Sequence, residues 1–286
     1  MPSFTDKREW LRRAIVATAV FTAPMTLAWA ADAPRLVSIN ACTDQLLMLL
    51  ADPDQIVGLS PYSRDAQRSW AAANARAFPL LSGEAEDVLM LKPDIVVAGR
   101  FTKRATRELL KEKGLRVVEF DTARSLADIK SQMTLMGELA GHAARARDQI
   151  AQLDAAVARV RETVARKPYR VLAVSRRGWV SGGNSLTSAL LSEAGLSNAA
   201  SEMGLKSGGF ASLETIIKLK PDFIMVSDSG DFAEDQGRAF LLHPALERLY
   251  PEDRRIVMPE RLTVCGGPMF AEALDRLADR LKRIER

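Results

Sequence analysis

The sequence predicts an α/β chain of two Rossmann-like lobes with parallel sheets, bridged by a long rigid α-helix. Three observations carry that expectation. Short apolar runs alternate with amphipathic stretches, one twelve-residue segment occurs twice, and a long Pro-free stretch lies between the copies. The segment Glu86-Asp87-Val88-Leu89-Met90-Leu91-Lys92-Pro93-Asp94-Ile95-Val96-Val97 recurs 128 residues later as Glu214-Thr215-Ile216-Ile217-Lys218-Leu219-Lys220-Pro221-Asp222-Phe223-Ile224-Met225. Each copy reads as a short helix stopped before Pro, then a β-branched run bounded by polar residues, the pattern of a strand buried on both faces.

The elements follow in order. In the first half, strands are expected at 35–39, 55–59, 94–98 and 115–120, alternating with helices at 44–50, 86–91 and 102–113. In the second half, strands at 170–174, 222–226 and 255–257 alternate with helices at 186–193, 213–219 and 269–284. Such alternation implies right-handed crossovers and ligand sites at the C-terminal ends of the strands. Between the halves, 126–167 holds no Pro, and 143–166 reads as one helix of about 35 Å that Pro168 ends. Two helices packed inside a single domain are the competing reading. The expected organisation is a signal peptide at 1–30, an N-terminal lobe at 31–124, a helical connector at 125–167 and a C-terminal lobe at 168–286.

The signal peptide rests on a basic start from Lys7 to Arg13, an apolar run from Ala14 to Leu27, and Ala28-Trp29-Ala30 as a small-x-small cleavage site. The run is short for a membrane span, so an N-terminal anchor is the weaker alternative. A basic start before such a site fits export to a periplasm, an oxidising compartment. Arg12-Arg13 leaves the export route open between general secretion and the twin-arginine path.

Composition narrows the function. The 286 residues carry a net charge of +4, and the first 30, with four cations against two anions, leave +2 for the rest. That balance, with no run of five like charges, excludes a nucleic-acid footprint. Two His disfavour a direct metal receptor, and no protein-bound metal or cofactor is expected. A secreted hydrolase or an α/β oxidoreductase is the alternative class. However, His142 falls in the connector and His243 precedes Pro244, neither beside a nucleophile motif. The loop Ser181-Gly182-Gly183-Asn184-Ser185 lacks the Walker Lys and the dinucleotide Gly spacing, so it reads as a turn and helix cap. No catalytic residue is assigned.

The residues at predicted strand ends point instead to binding. Tyr62, Arg100, Phe101, Arg176, Trp179, Asp228 and Arg261 combine bidentate cations with flat apolar walls, which suits a bulky anionic or chelate ligand. Cys42 and Cys265 also fall at such ends, where a disulfide, two free thiols or a metal or ligand contact are all open.

The doubled Glu-x-x-x-x-Leu-Lys-Pro-Asp segment, the opening Arg35-Leu36-Val37-Ser38-Ile39 strand, and Val57-Gly58-Leu59-Ser60 leading to Tyr62 resemble the periplasmic substrate-binding proteins. That family delivers iron-siderophores, haem or cobalamin to ABC importers. The resemblance implies that Glu86 and Glu214, one per lobe, pair with arginines of the membrane subunits, and that the strand-end residues line an interlobe cleft. A helix-start carboxylate is also favoured by the helix dipole alone. The several Arg favour a ferric siderophore, with a corrinoid next and haem third. The Cys42 and Cys265 positions depart from the cobalamin-binding member. A monomer partnered by the importer's membrane subunits and a small metal chelate is expected.

Overall fold

Parallel pairing organises the strands into two sheets. A computed structural model of the chain describes residues 33–162, 168–227 and 239–284, and 33–286 form one compact unit. The predicted signal peptide and Asp228 lie outside the described residues.

The first half contributes β1 (Leu36–Ser38), α1 (Ala41–Leu50), β2 (Ile56–Gly58), α2 (Ala85–Leu91), β3 (Ile95–Gly99), α3 (Arg104–Glu112) and β4 (Arg116–Phe120). Its sheet runs β2-β1-β3-β4, with Leu36 opposite Ile95 and Ile95 opposite Arg116. Two connector helices follow, α4 (Leu126–Leu139) and α5 (Ala143–Glu162). The second half contributes β5 (Arg170–Ala173), β6 (Trp179–Ser181), α6 (Leu186–Glu193), β7 (Ser197–Asn198), β8 (Gly208–Phe210), α7 (Leu213–Leu219), β9 (Phe223–Val226), α8 (Pro244–Leu249), β10 (Arg255–Val257) and α9 (Met269–Ile284). Its parallel sheet runs β10-β9-β5-β7, and β6 pairs with β8 antiparallel in a separate ribbon.

The doubled segment is a doubled corner. Both α2 and α7 end on a lysine in the left-handed region, Lys92 at φ 45° and Lys220 at φ 46°, before Pro stops the helix. The next Asp turns back onto the neighbouring strand. Asp94 Oδ2 accepts from the Arg35 N–H at 2.7 Å, and Asp222 Oδ2 accepts from the Arg170 N–H at 2.8 Å. The guanidinium of each Arg donates to the carbonyl of the left-handed Lys, at 3.1 Å for Arg35 and 2.9 Å for Arg170. The carboxylate and the carbonyl are thus satisfied locally, which lets the chain enter β3 and β9 in register.

Period-two alternation distributes the strands between cores. Val37, Val96 and Ala98 face outward onto Val88 of α2 and Leu110 of α3. Leu172, Val174 and Ile224 likewise face Ile216 of α7 and Leu246 of α8. The opposite faces, with Leu36, Val97, Val171 and Met225, join one continuous core with Met133, Leu153, Val160 and Phe270. The connector holds two helices, of which α5 is the long helix expected at 143–166, described to Glu162. Gly141, at φ 77°, breaks it between α4 and α5, and Gly137 lets the two approach, since a Cβ there would lie 2.5 Å from Ala146. The 20 residues of α5 span about 30 Å. They are tied to α9 by Arg159, whose Nε and Nη2 donate to Asp275 at 3.1 and 2.9 Å.

The two His serve structure. His142 Nε2 lies 2.9 Å from Asp52, whose carboxyl the hydrogen-bonded Arg145 guanidinium holds below its ordinary range. His243 Nδ1 accepts from Ala245 N–H and caps α8, a helix the sequence reading left out. Ser185 ends the Gly-rich loop as the cap of α6, accepting from Ser188 N–H at 3.2 Å. No helix among the described residues is long and apolar enough to cross a membrane.

Candidate functional site

The C-terminal ends of the two parallel sheets open onto two adjoining cavities. In the first half, Asn40 follows β1, Gly99-Arg100-Phe101 leaves β3, and Phe120-Asp121-Thr122 leaves β4; these line a cavity of about 180 Å³. Asn40 shapes its floor. Its side chain caps α1 by accepting from Cys42 N–H at 2.9 Å, and it lies so close to Gly99 that a Cβ there would meet Nδ2 at 2.5 Å. Arg100 Nη1 donates to Asp121 Oδ1 at 2.9 Å, while Phe101 projects beside it with 80% of its surface exposed.

The second cavity, of about 230 Å³, lies at the ends of β5, β9 and β10. Ser175, Ser181, Thr187, Ser227 and Thr263 bring hydroxyls to its wall, Met225, Met258 and Val264 bring apolar surface, and Glu260 brings one carboxylate. Trp179 enters this wall through a tight turn. Arg177 takes φ 59° and the Ser175 N–H donates to the Trp179 carbonyl at 2.8 Å, reversing the chain into β6. Phe210 of β8 packs edge-to-face on Trp179, with centroids 5.1 Å apart. Gly208 makes that ribbon possible, because its φ of 131° is strained for other residues and a Cβ would meet the Trp179 ring at 2.9 Å.

One segment belongs to both cavities. Val264 lines each, and Cys265 and Gly266 line the first. Cys265 is bonded to Cys42 of α1, with S–S 2.07 Å and Cα atoms 5.2 Å apart, so the crosslink joins the two halves at the seam of the site.

Behind the first cavity sits Asp44, fully buried in the first turn of α1. It contacts Ser60 through the backbone N–H at 3.1 Å and the hydroxyl at 2.5 Å. Burial pushes its pKa up to about 7 against the opposing effect of the Ser38 and Ser60 hydrogen bonds. Sequence reading missed Asp44, since an acid in a first helical turn reads as an ordinary dipole partner. It also missed Phe210, Glu260 and the hydroxyl set, because isolated Ser and Thr carry no pattern.

Of the predicted site residues, Arg100, Phe101, Cys42 and Cys265 line the first cavity and Trp179 lines the second. Tyr62 stands 55% exposed on the turn after β2, away from both linings. Arg176 is half-buried in the turn Arg176–Gly178, and Arg261 is half-buried in the turn Glu260–Leu262; neither lines either cavity. Glu86 and Glu214 are exposed in the first turns of α2 and α7. The Ser212 hydrogen bond, then the Glu214 backbone N–H, holds the Glu214 carboxyl below its ordinary range. Among the described residues no group of three or more His, Cys, Asp or Glu is placed to hold a metal ion.

Comparison with known proteins agrees with this architecture. Residues 36–258 match the family model described as periplasmic binding protein. Two curated relatives from strains of Halobacterium salinarum, each named cobalamin-binding protein, are 26% identical over 202 residues, covering 69% of this chain and 54% of theirs. The chain thus spans about half the length of the curated relatives it matches. The periplasmic haem-binding protein RhuT from Roseiflexus sp. RS-1, in its apo form, is similar at a TM-score of 0.73 and 21% identity, covering 89% of this chain and 100% of that one. An ABC-type Fe3+-hydroxamate transport system structure from Saccharomonospora viridis has a TM-score of 0.68 at 20% identity, covering 87% and 93%. Identities at this level speak for the fold alone. The family match spans most of the chain, both parallel sheets included, and the chain therefore belongs to the periplasmic binding protein family.

Proposed function

We propose that the chain is the extracytoplasmic receptor of an ABC importer, binding a metal chelate between its two halves, with a corrinoid as the best-supported cargo. The observation that carries the reading is the meeting of two strand-end cavities at one crosslinked seam, the position where open parallel sheets bind ligands. On this reading residues 1–30 direct export, the receptor acts as a monomer, and Glu86 and Glu214 dock onto the membrane subunits.

The cavity walls favour a corrinoid over the ferric siderophore that the arginine content alone favoured. Arg100 is paired with Asp121, and Arg176 and Arg261 are off both walls, which leaves little uncompensated positive charge facing a ligand. The remaining surface is hydroxyl, aliphatic, thioether and aromatic with the single carboxylate of Glu260, which suits a flat macrocycle with neutral amide arms better than an anionic chelate. Neither wall carries the Tyr or His that an axial haem bond commonly uses. The names of the curated relatives, cobalamin-binding protein in both cases, support the corrinoid.

Isothermal titration of the purified chain with cobalamin, haemin and a ferric trihydroxamate tests this. Saturable binding of cobalamin at micromolar affinity or tighter, with the others weaker, is the expected result. A preference for haemin or the hydroxamate overturns the cargo, and no binding by any of the three overturns the receptor reading.

A further inference from the structure

Val264 is out of place as a structural residue. Its neighbours Leu262 and Cys265 are 0% and 1% exposed, yet this β-branched side chain keeps 43% of its surface open, and it borders both cavities. The backbone beneath it is held on every side. The Thr263 and Val264 N–H groups both donate to the Glu260 carbonyl at 3.0 Å. Cys265 is bonded to Cys42, one residue pair beyond the Asn40 cap that shapes the first cavity. Gly266 is pressed against the first half so closely that a Cβ would meet Ala123 at 2.5 Å and Ile129 at 2.8 Å. A segment of the second half is thereby seated in the first, with an apolar side chain raised between the two half-sites.

We propose that Val264 is a specificity-determining contact for the bound chelate, and that the Cys42–Cys265 crosslink is the positioning element that holds it at the seam. This rests on the cleft reading above. An apolar ridge reached from both sides selects by shape and bulk, not by charge, and its height is set by a covalent bond between the halves. Cys42 also lines the first cavity, so a reductant reaches the disulfide through the space the ligand would fill. A bound ligand then slows reduction by covering that path, and because reduction releases Val264 and weakens binding, the ligand also favours the disulfide at equilibrium.

The test uses the purified full-length chain with cobalamin, haemin and a ferric trihydroxamate as probes. For whichever probe the oxidised protein binds, Val264→Trp is expected to lose at least about tenfold in affinity and Val264→Ala about two- to fivefold, with thermal stability unchanged. Thiol counting should show slower reduction of the disulfide when that probe is saturating, and the reduced protein should bind it more weakly. If the reduced protein loses its fold by circular dichroism, the Val264 variants carry the test alone. Probe binding by the parent with unchanged affinity in Val264→Trp overturns this proposal and leaves the cleft reading standing. Absence of binding by the oxidised parent to all three probes overturns the cleft reading and this proposal with it.

Discussion

At the feet of the two sheets the halves are near copies. Arg35, Lys92 and Asp94 clamp one corner, Arg170, Lys220 and Asp222 clamp the other, and the matching hydrogen bonds differ by no more than 0.2 Å. At the heads of the same sheets nothing is repeated. The first half presents an ion pair, an exposed phenyl ring and a helix cap, whereas the second presents hydroxyls, thioethers and a tryptophan on a ribbon with no counterpart. The repeated end is where the fold is specified, and the divergent end is where a ligand is distinguished. Identical corners place the strands, and the residues that leave their far ends are free to differ.

The comparison breaks most visibly if the halves prove to be separate folding units. Phe270 of α9 is fully buried in the core that both sheets share, so Phe270→Ala should cost about 3–5 kcal/mol and lower one cooperative transition. Two resolved transitions in calorimetry would show that the halves fold alone. A second asymmetry is Asp44, which has no buried carboxylate as a counterpart among the described residues of the second half. Its folded pKa of about 7 lies above the ordinary carboxylate value, so its contribution is fully present below about pH 4. It is lost as pH rises through 7, at up to about 1.4 kcal/mol per pH unit. Urea titrations at several pH values should show that slope, and Asp44→Asn should flatten it.

The corners themselves are not equal in strength. Arg170 adds a bidentate pair to Glu202, 2.7 Å at each oxygen, and a bond to the Leu219 carbonyl, where the Arg35 guanidinium, among the described residues, meets the Lys92 carbonyl alone. Arg170→Ala should therefore cost about 1–3 kcal/mol and Arg35→Ala less than about 1 kcal/mol, measured by denaturant unfolding. Equal costs would mean the Glu202 pair contributes nothing. The smallest effect on binding belongs to the repeated acids. Glu86→Ala combined with Glu214→Ala should leave ligand affinity within about 0.5 kcal/mol while uptake in cells is abolished. A fall in affinity would move both residues from docking to the ligand site.

Much of the scaffold was legible because buried parallel strands write their burial directly into the chain. Phe223 to Val226 and Ile95 to Gly99 are wholly buried, and their apolar runs gave strand ends correct to about one residue. The helices Leu186–Glu193, Leu213–Leu219 and Met269–Ile284 have the predicted limits. The β6–β8 ribbon escaped notice because strands of three residues, one of them opening Gly208-Gly209, have no periodicity to detect. The shared core was left open between two readings. The stretch 143–166 reads as a rigid strut between lobes, or as a helix packed inside one domain, until the residues it meets are known, and Leu153 and Val160 are buried where α4 and α9 cover α5. At the site, aromatic and charged candidates were visible singly. Whether Arg100 faces a ligand or Asp121 depends on a neighbour 21 residues away, which no local pattern encodes.

The tryptophans give the molecule an optical consequence. Of four, Trp10 and Trp29 fall within the first 30 residues. The other two report on different events. Trp70 donates its indole N–H to Glu272 of α9 at 2.9 Å and thus stands at the junction of the halves, while Trp179 forms part of the second cavity's wall. In a chain lacking residues 1–30, any change in tryptophan emission, excited to the red of tyrosine absorption, arises from one of these two rings. Replacing Trp70 by Phe leaves a single tryptophan that sees the site, and replacing Trp179 by Phe leaves one that sees the joint. Occupancy and interlobe rearrangement can then be followed separately, in real time and without an added dye.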